Sequence, residues 1–188
     1  DGLADLIVGA FLADPISGTN AGESYVVFGK ADNAPVDLAS LGSGGFRIDG
    51  SATGDGSGIS VAGAGDVNGD GLADLIVGAW LADPGGDSEA GESYVVFGKA
   101  DNTTVDLASL ASGGFRINGI DADDYSGRSV SGAGDVNGDG LADLIVGAFG
   151  ADPSGETNAG ESYVVFGKAD TTPVDLGNLS GGSRLNGI

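Results

Sequence analysis

Asp66-Val-Asn-Gly-Asp-Gly-Leu-Ala-Asp74 sets oxygen-bearing side chains at alternate positions of a glycine-rich stretch, and the same residues return unchanged at Asp135–Asp143. The second half of the motif opens the chain as Asp1-Gly-Leu-Ala-Asp5. Asp66, Asn68, Asp70 and Asp74 offer side-chain oxygens, Leu72 offers a backbone carbonyl, and Gly71 permits the turn that folds them round one point. Carboxylates about 4 Å apart repel by roughly 4 kcal/mol per pair at an effective dielectric near 20, so the pattern calls for a cation among them. An all-oxygen set suits Ca²⁺, which takes about six to eight oxygen ligands, better than Mg²⁺, which keeps more of its waters. Softer metals want His or Cys, and the chain has neither. An EF-hand needs Glu at the twelfth position, where Val77 and Val146 stand, and helices on both sides. The plainer alternative is a solvated polar turn, since Asp, Asn and Gly are common turn formers.

These loops are positioned by a repeat. Tyr25, Tyr94 and Tyr163 stand 69 residues apart within Glu-Ser-Tyr-Val-Val-Phe-Gly-Lys, and Phe11, Trp80 and Phe149 keep the same step after Val-Gly-Ala. In the middle unit, short apolar runs bounded by Gly, Asn, Asp and Pro predict strands over Ser60–Ala64, Asp74–Ala79, Ser93–Gly98 and Gly114–Asn118, with a short helical turn within 105–110. The expected fold is all-β: four-stranded antiparallel blades of a β-propeller, present as an incomplete propeller or a segment of a larger one. Small residues in the first strand suit an inner position near the axis. The second strand, apolar on both faces, suits a place between neighbouring blades. A linear β-solenoid is the rival architecture, but its units are usually shorter.

The units divide as 1–50, a blade lacking its innermost strand, then 51–119 and 120–188, two complete blades. Because the chain starts inside a motif without Met, it reads as a piece of a longer protein, completed by further blades or by identical copies. A net charge of −21 with seven basic residues argues against nucleic acid as partner. Apolar residues at 40%, gathered in regular strands, argue against disorder. No signal peptide is visible, and runs such as Leu6-Ile-Val-Gly-Ala10 are too short to span a bilayer.

The acidic loop, the Leu-Ile-Val-Gly-Ala that follows it and the Tyr-Val-Val-Phe-Gly-Lys strand together resemble FG-GAP repeats, the blades of integrin α-subunit propellers and their bacterial relatives. Phe28-Gly29, Phe97-Gly98 and Phe166-Gly167 match the Phe-Gly part, while only Gly-Ala of the second part is kept, with Pro displaced downstream. The resemblance implies a seven-bladed propeller with Ca²⁺ held in loops on one face, in proteins of cell surfaces or secretions. It implies Asp66, Asn68, Asp70, Leu72 and Asp74 as one ligand set and Asp135, Asn137, Asp139, Leu141 and Asp143 as a second, with Leu141, like Leu72, using its carbonyl. The first unit keeps only Asp1, Leu3 and Asp5, an incomplete set. Integrin ligand recognition is not implied, since it depends on loops and a partner subunit.

Enzymatic readings fare badly. Without His a Ser nucleophile lacks its usual base, and a unique active site should break the repeat. Lys30, Lys99 and Lys168 recur once per unit and read as solvated surface. Three functions are carried forward: a non-catalytic, extracellular, calcium-binding scaffold or adhesion module; a sugar-binding propeller; and a non-catalytic appendage of a secreted enzyme. In the second, Phe11, Trp80 and Phe149 would be stacking platforms, whereas the rival reading has these rings seal the seams between blades. Partners are then further blades or identical copies, with an extracellular protein or glycan as ligand. Asn102-Thr-Thr104 fits the acceptor pattern for Asn-linked sugar, a weak signal.

Overall fold

The computed structural model describes residues 2–187. The first unit forms β1 (Leu6–Ala10), β2 (Glu23–Val27) and β3 (Gly45–Asp49). The middle unit forms β4 (Ser57–Gly65), β5 (Asp74–Ala79), β6 (Glu92–Val96), the two-residue β7 (Val105–Asp106) and β8 (Gly114–Asn118). The last forms β9 (Ser126–Gly134), β10 (Asp143–Ala148), β11 (Glu161–Val165), β12 (Val174–Asp175) and β13 (Gly182–Asn186). These make three sheets, ordered β1-β2-β3-β7, β4-β5-β6-β8-β12 and β9-β10-β11-β13. Within a unit every pairing is antiparallel. The protein is all-β, an open run of propeller blades, and among the described residues its only helical turns are short 3₁₀ pieces.

The apolar cores lie between sheets, and the second strand of the repeat shows why. In β5 the side chains alternate, so Ile76 joins a cluster with Val130, Leu144 and Val146 of the third sheet. Val77 and Ala79 point the other way, into a cluster with Val26, Phe46 and Ile48 of the first. Leu-Ile-Val is apolar on both faces because each face has its own neighbour. Burying a side chain such as Ile76 contributes roughly 1.5–3 kcal/mol.

Two glycine positions set how closely sheets approach. A Cβ on Gly9 would lie 2.0 Å from the Gly58 carbonyl oxygen, and one on Gly78 would lie 1.9 Å from that of Gly127. Any side chain there would push the next inner strand away. The inner strand is also longer than the sequence suggests, Ser57–Gly65 rather than Ser60–Ala64. Its register against β5 shifts between Ser57 and Ser60, a bulge that Gly58 accommodates at φ +87°.

The sequence missed one device. Val105–Asp106 pairs in parallel with Ile48–Asp49 of the preceding sheet, and Val174–Asp175 pairs in parallel with Ile117–Asn118. Each is a strap laid from one unit onto the outer strand of the unit before. The expected helical turn follows it as the 3₁₀ pieces Leu107–Ser109 and Leu176–Asn178. Asp106 and Asp175 cap these turns by accepting the N–H of Ala108 and Gly177.

Candidate metal centre

Antiparallel pairing puts the loop between β4 and β5 and the loop between β9 and β10 at the same end of their sheets. In the first loop, the Asp66 carboxylate accepts the backbone N–H of Gly69 at 2.7 Å, Asp70 at 3.1 Å and Gly71 at 2.9 Å. Asn68 Oδ1 accepts the Asp70 N–H at 2.8 Å, its amide nitrogen donates to Asp70 at 3.0 Å, and Asp70 accepts the Leu72 N–H at 2.8 Å. Gly69 and Gly71 hold φ of +80° and +86°, the left-handed turns that let successive N–H groups point inward.

The second loop repeats this bond for bond. Asp135 accepts from Gly138, Asp139 and Gly140 at 2.7, 3.1 and 2.9 Å. Asn137 and Asp139 bond each other, and Asp139 accepts from Leu141 at 2.9 Å.

Asp74 and Asp143 differ from the other carboxylates in being fully buried. Asp74 accepts the Val67 N–H at 2.8 Å and the Gly98 N–H at 2.7 Å, tying the loop to the end of the third strand. Asp143 does the same with Val136 at 2.8 Å and Gly167 at 2.9 Å, and Asp5 accepts the Gly29 N–H at 2.8 Å. Burial pushes the Asp74 carboxyl above its ordinary range; the two N–H donors pull it back, and the charges of Asp70 and Asp66 add to the rise.

Gly29, Gly98 and Gly167 thus support the acidic loops, a role that the sequence marked only by likeness. A Cβ on Gly98 would meet the Ala73 carbonyl oxygen and Leu72 Cβ at 2.6 Å. The loop rests directly on this glycine, as its twins rest on Gly29 and Gly167. The step of 24 residues from Asp74 to Gly98 was the available signal.

Backbone N–H groups answer much of the charge that the sequence assigned to a cation. Among the described residues no group of three or more His, Cys, Asp or Glu converges as a metal-holding cluster. The donor set nevertheless fits a hard cation. A carboxylate has about four lone-pair sites, and the hydrogen bonds to Asp66, Asp70 and Asp74 leave each at least one open. Leu3 and Asp5 occupy the matching stretch of the first unit; Asp1 lies outside the described residues.

The opposite end of the sheets is built differently. Glu23, Glu92 and Glu161 each accept the hydroxyl of the tyrosine two residues on, and face Arg47, Arg116 and Arg184 at 3.4, 3.2 and 3.6 Å. Burial, with the Glu23 carboxylate beside it, pushes the Tyr25 hydroxyl up to about 12. Glu92 and Asp55 are also raised by burial.

Here the units diverge. Tyr125, at φ +56°, stands where the middle unit has Gly56 at φ +61°. Its ring stacks on Phe149 at 5.1 Å and leans on Trp80 at 5.5 Å, while the Arg128 guanidinium lies 4.7 Å from the Trp80 ring centre. Trp80 is therefore engaged across a seam, as the sealing alternative expects of it.

The FG-GAP repeat family matches residues 57–96 and 126–165, spans that run from the inner strand to the third strand of the second and third sheets. The chain is 42% identical to integrin alpha-M of Mus musculus over 90 residues and 39% identical to integrin alpha-X of Mus musculus over 87 residues. Each alignment covers 46% of this chain and 7% of the relative, so the chain spans a small part of the curated relatives it matches.

Proposed function

We propose that this chain, a run of FG-GAP repeats, is a non-catalytic, calcium-binding part of an extracellular propeller scaffold or adhesion module. The observation that carries the reading is the acidic loop itself: two copies fold into the same hydrogen-bonded cradle at the same end of neighbouring sheets. Ca²⁺ would be held by Asp66, Asn68, Asp70, the Leu72 carbonyl and Asp74, and by Asp135, Asn137, Asp139, the Leu141 carbonyl and Asp143. Leu3 and Asp5 keep part of a third set. Bound there, the ion would supply electrostatic cross-linking between the inner two strands and, through Asp74 and Asp143, the end of the third. The blades are taken as 1–50, 51–119 and 120–188.

An extracellular setting fits both the resemblance and the modest affinity, about 10⁻⁴–10⁻³ M, of many extracellular calcium modules. Among the described residues no helix is long and apolar enough to cross a membrane. A sugar-binding role is less favoured, because Tyr125 stacks on Phe149 and leans on Trp80.

Thermal unfolding with calcium and with EDTA tests the reading. Ligand that binds only the folded state stabilises by about 2.7 kcal/mol per site at a hundredfold excess over Kd. A clear rise in melting temperature with calcium is expected; an unchanged melting temperature refutes the metal assignment.

A further inference from the structure

The two acidic loops touch across the seam between the second and third sheets, a seam built entirely from residues of this chain. The Ala142 N–H, in the loop between β9 and β10, donates to the Asp66 carbonyl, in the loop between β4 and β5, at 2.9 Å. The surrounding atoms leave little slack. A Cβ on Gly69 would lie 3.1 Å from Leu141 Cδ2, and one on Gly65 would lie 2.7 Å from the Ala142 Cβ. A Cβ on Gly167 would lie 2.9 Å from the carbonyl oxygen of Val67, which is completely buried.

The contact runs through groups that the calcium reading uses. One peptide group carries both the Leu141 carbonyl, a ligand in that reading, and the Ala142 N–H. The peptide group it meets carries both the Asp66 carbonyl and the Val67 N–H, which donates to the Asp74 carboxylate at 2.8 Å. Two peptide groups and two hydrogen bonds therefore join a ligand of one loop to a ligand of the other.

We infer that this relay couples the two loops, so that filling either raises the calcium affinity of the other. The inference deepens the calcium reading and rests on it. With a cation on its oxygen, the Leu141–Ala142 peptide is polarised and its N–H becomes a stronger donor. The Asp66 carbonyl is then held in place, and the Val67 N–H behind it stays aimed at Asp74. Asp74, whose other oxygen accepts the Gly98 N–H at 2.7 Å, is thereby fixed before its own loop fills. Ordering done by the first ion is not repeated for the second, which is positive cooperativity without a change of fold. Two effects oppose it: the stronger N–H draws on the charge of Asp74, and cations in neighbouring loops repel. Asp70 and Asp139 are exposed, so salt screens the repulsion, whereas the peptide contact is short-range and escapes screening. Ordering wins at ordinary salt.

Calcium titration of the chelated chain at about 0.15 M salt measures the coupling. Asp139→Ala leaves the first loop to bind alone, and Asp70→Ala leaves the second. In the unmodified chain the product of the two stepwise binding constants should exceed the product of the variants' single constants about fivefold. Ala142→Pro, which removes the connecting N–H, should bring that factor to one in the same comparison. The Ala142 amide gives a second reading by NMR. In Asp70→Ala, where the second loop and the Ala142 bond are kept, filling that loop should move the amide proton downfield and slow its exchange with solvent. Substitutions that merely loosen a loop would not move it. A factor of one or below, a factor that survives Ala142→Pro in a folded chain, or an amide unmoved by calcium overturns the inference. Should the proline variant not fold, the factor in the unmodified chain and the amide decide. Calcium that fills both loops independently sinks the coupling alone and leaves the calcium reading standing, whereas a chain that takes up no calcium sinks both.

Discussion

The loops at Asp66–Asp74 and Asp135–Asp143 share one sequence and one internal hydrogen-bond pattern, yet their surroundings differ. The first is braced by the second. The Ala142 N–H donates to the Asp66 carbonyl at 2.9 Å, and Val67 is completely buried. Val136, the twin of Val67, is 55% exposed. The loop's shape is therefore written in its own residues, while the packing around it comes from the neighbouring blade. Since pre-organisation lowers the cost of ordering a site on binding, in a preparation of these 188 residues alone the first loop should hold calcium a few-fold more tightly than the second.

The largest effect comes from what the loops share. Replacing Asp74 or Asp143 by Ala leaves two or more backbone N–H groups without an acceptor, each worth about 1–3 kcal/mol when buried. Losses on the order of 3 kcal/mol are expected for both, read by urea unfolding in EDTA. A much cheaper Asp143→Ala would break the claim that the loop is a local structure.

Gly98→Ala comes next, because its Cβ would sit 2.6 Å from the Ala73 carbonyl oxygen. A loss of about 2 kcal/mol is expected, as for other overpacked sites, together with weaker calcium binding. Unchanged binding in a folded variant would separate the glycine from the site.

Val67→Ala against Val136→Ala sharpens the contrast itself. The buried residue should cost roughly 1–2 kcal/mol and the exposed one under about 0.5 kcal/mol. Equal costs would mean that the second loop is braced as well.

The smallest effect is with pH. Glu92 and Asp55, raised above their ordinary 4.5 and 3.8 by burial, contribute stability that is fully present below those values and lost as pH rises through the raised ones. In EDTA, stability should therefore climb as pH falls from neutral toward 4.5. Asp101 and Asp170, held low by hydrogen bonds from Lys99 and Lys168, oppose this only below the ordinary Asp range. A flat melting temperature over that window would show that Glu92 and Asp55 are solvated.

Much of the fold was legible because the repeat states it three times. β5 and β8 begin and end where the apolar runs do, at Asp74–Ala79 and Gly114–Asn118. Two-sided burial of β5 followed from Leu-Ile-Val alone. The straps were not legible, since a two-residue strand carries no period and its partner belongs to another unit. Nor was the role of Gly98, which shows only once the loop is seen lying on it. The loop's oxygens were readable as a set, but the backbone donors that answer them were not, because N–H direction depends on φ rather than on side-chain identity. Tyr125 was not legible either, because a repeat marks the residues that recur and Tyr125 matters by breaking it.

Calcium stoichiometry by titration calorimetry on the chelated chain tests the central claim most directly. Two sites are predicted, one per complete loop, with Asp70→Ala removing the tighter and Asp139→Ala the weaker. Heat that survives both substitutions, or none at millimolar calcium, would contradict the account.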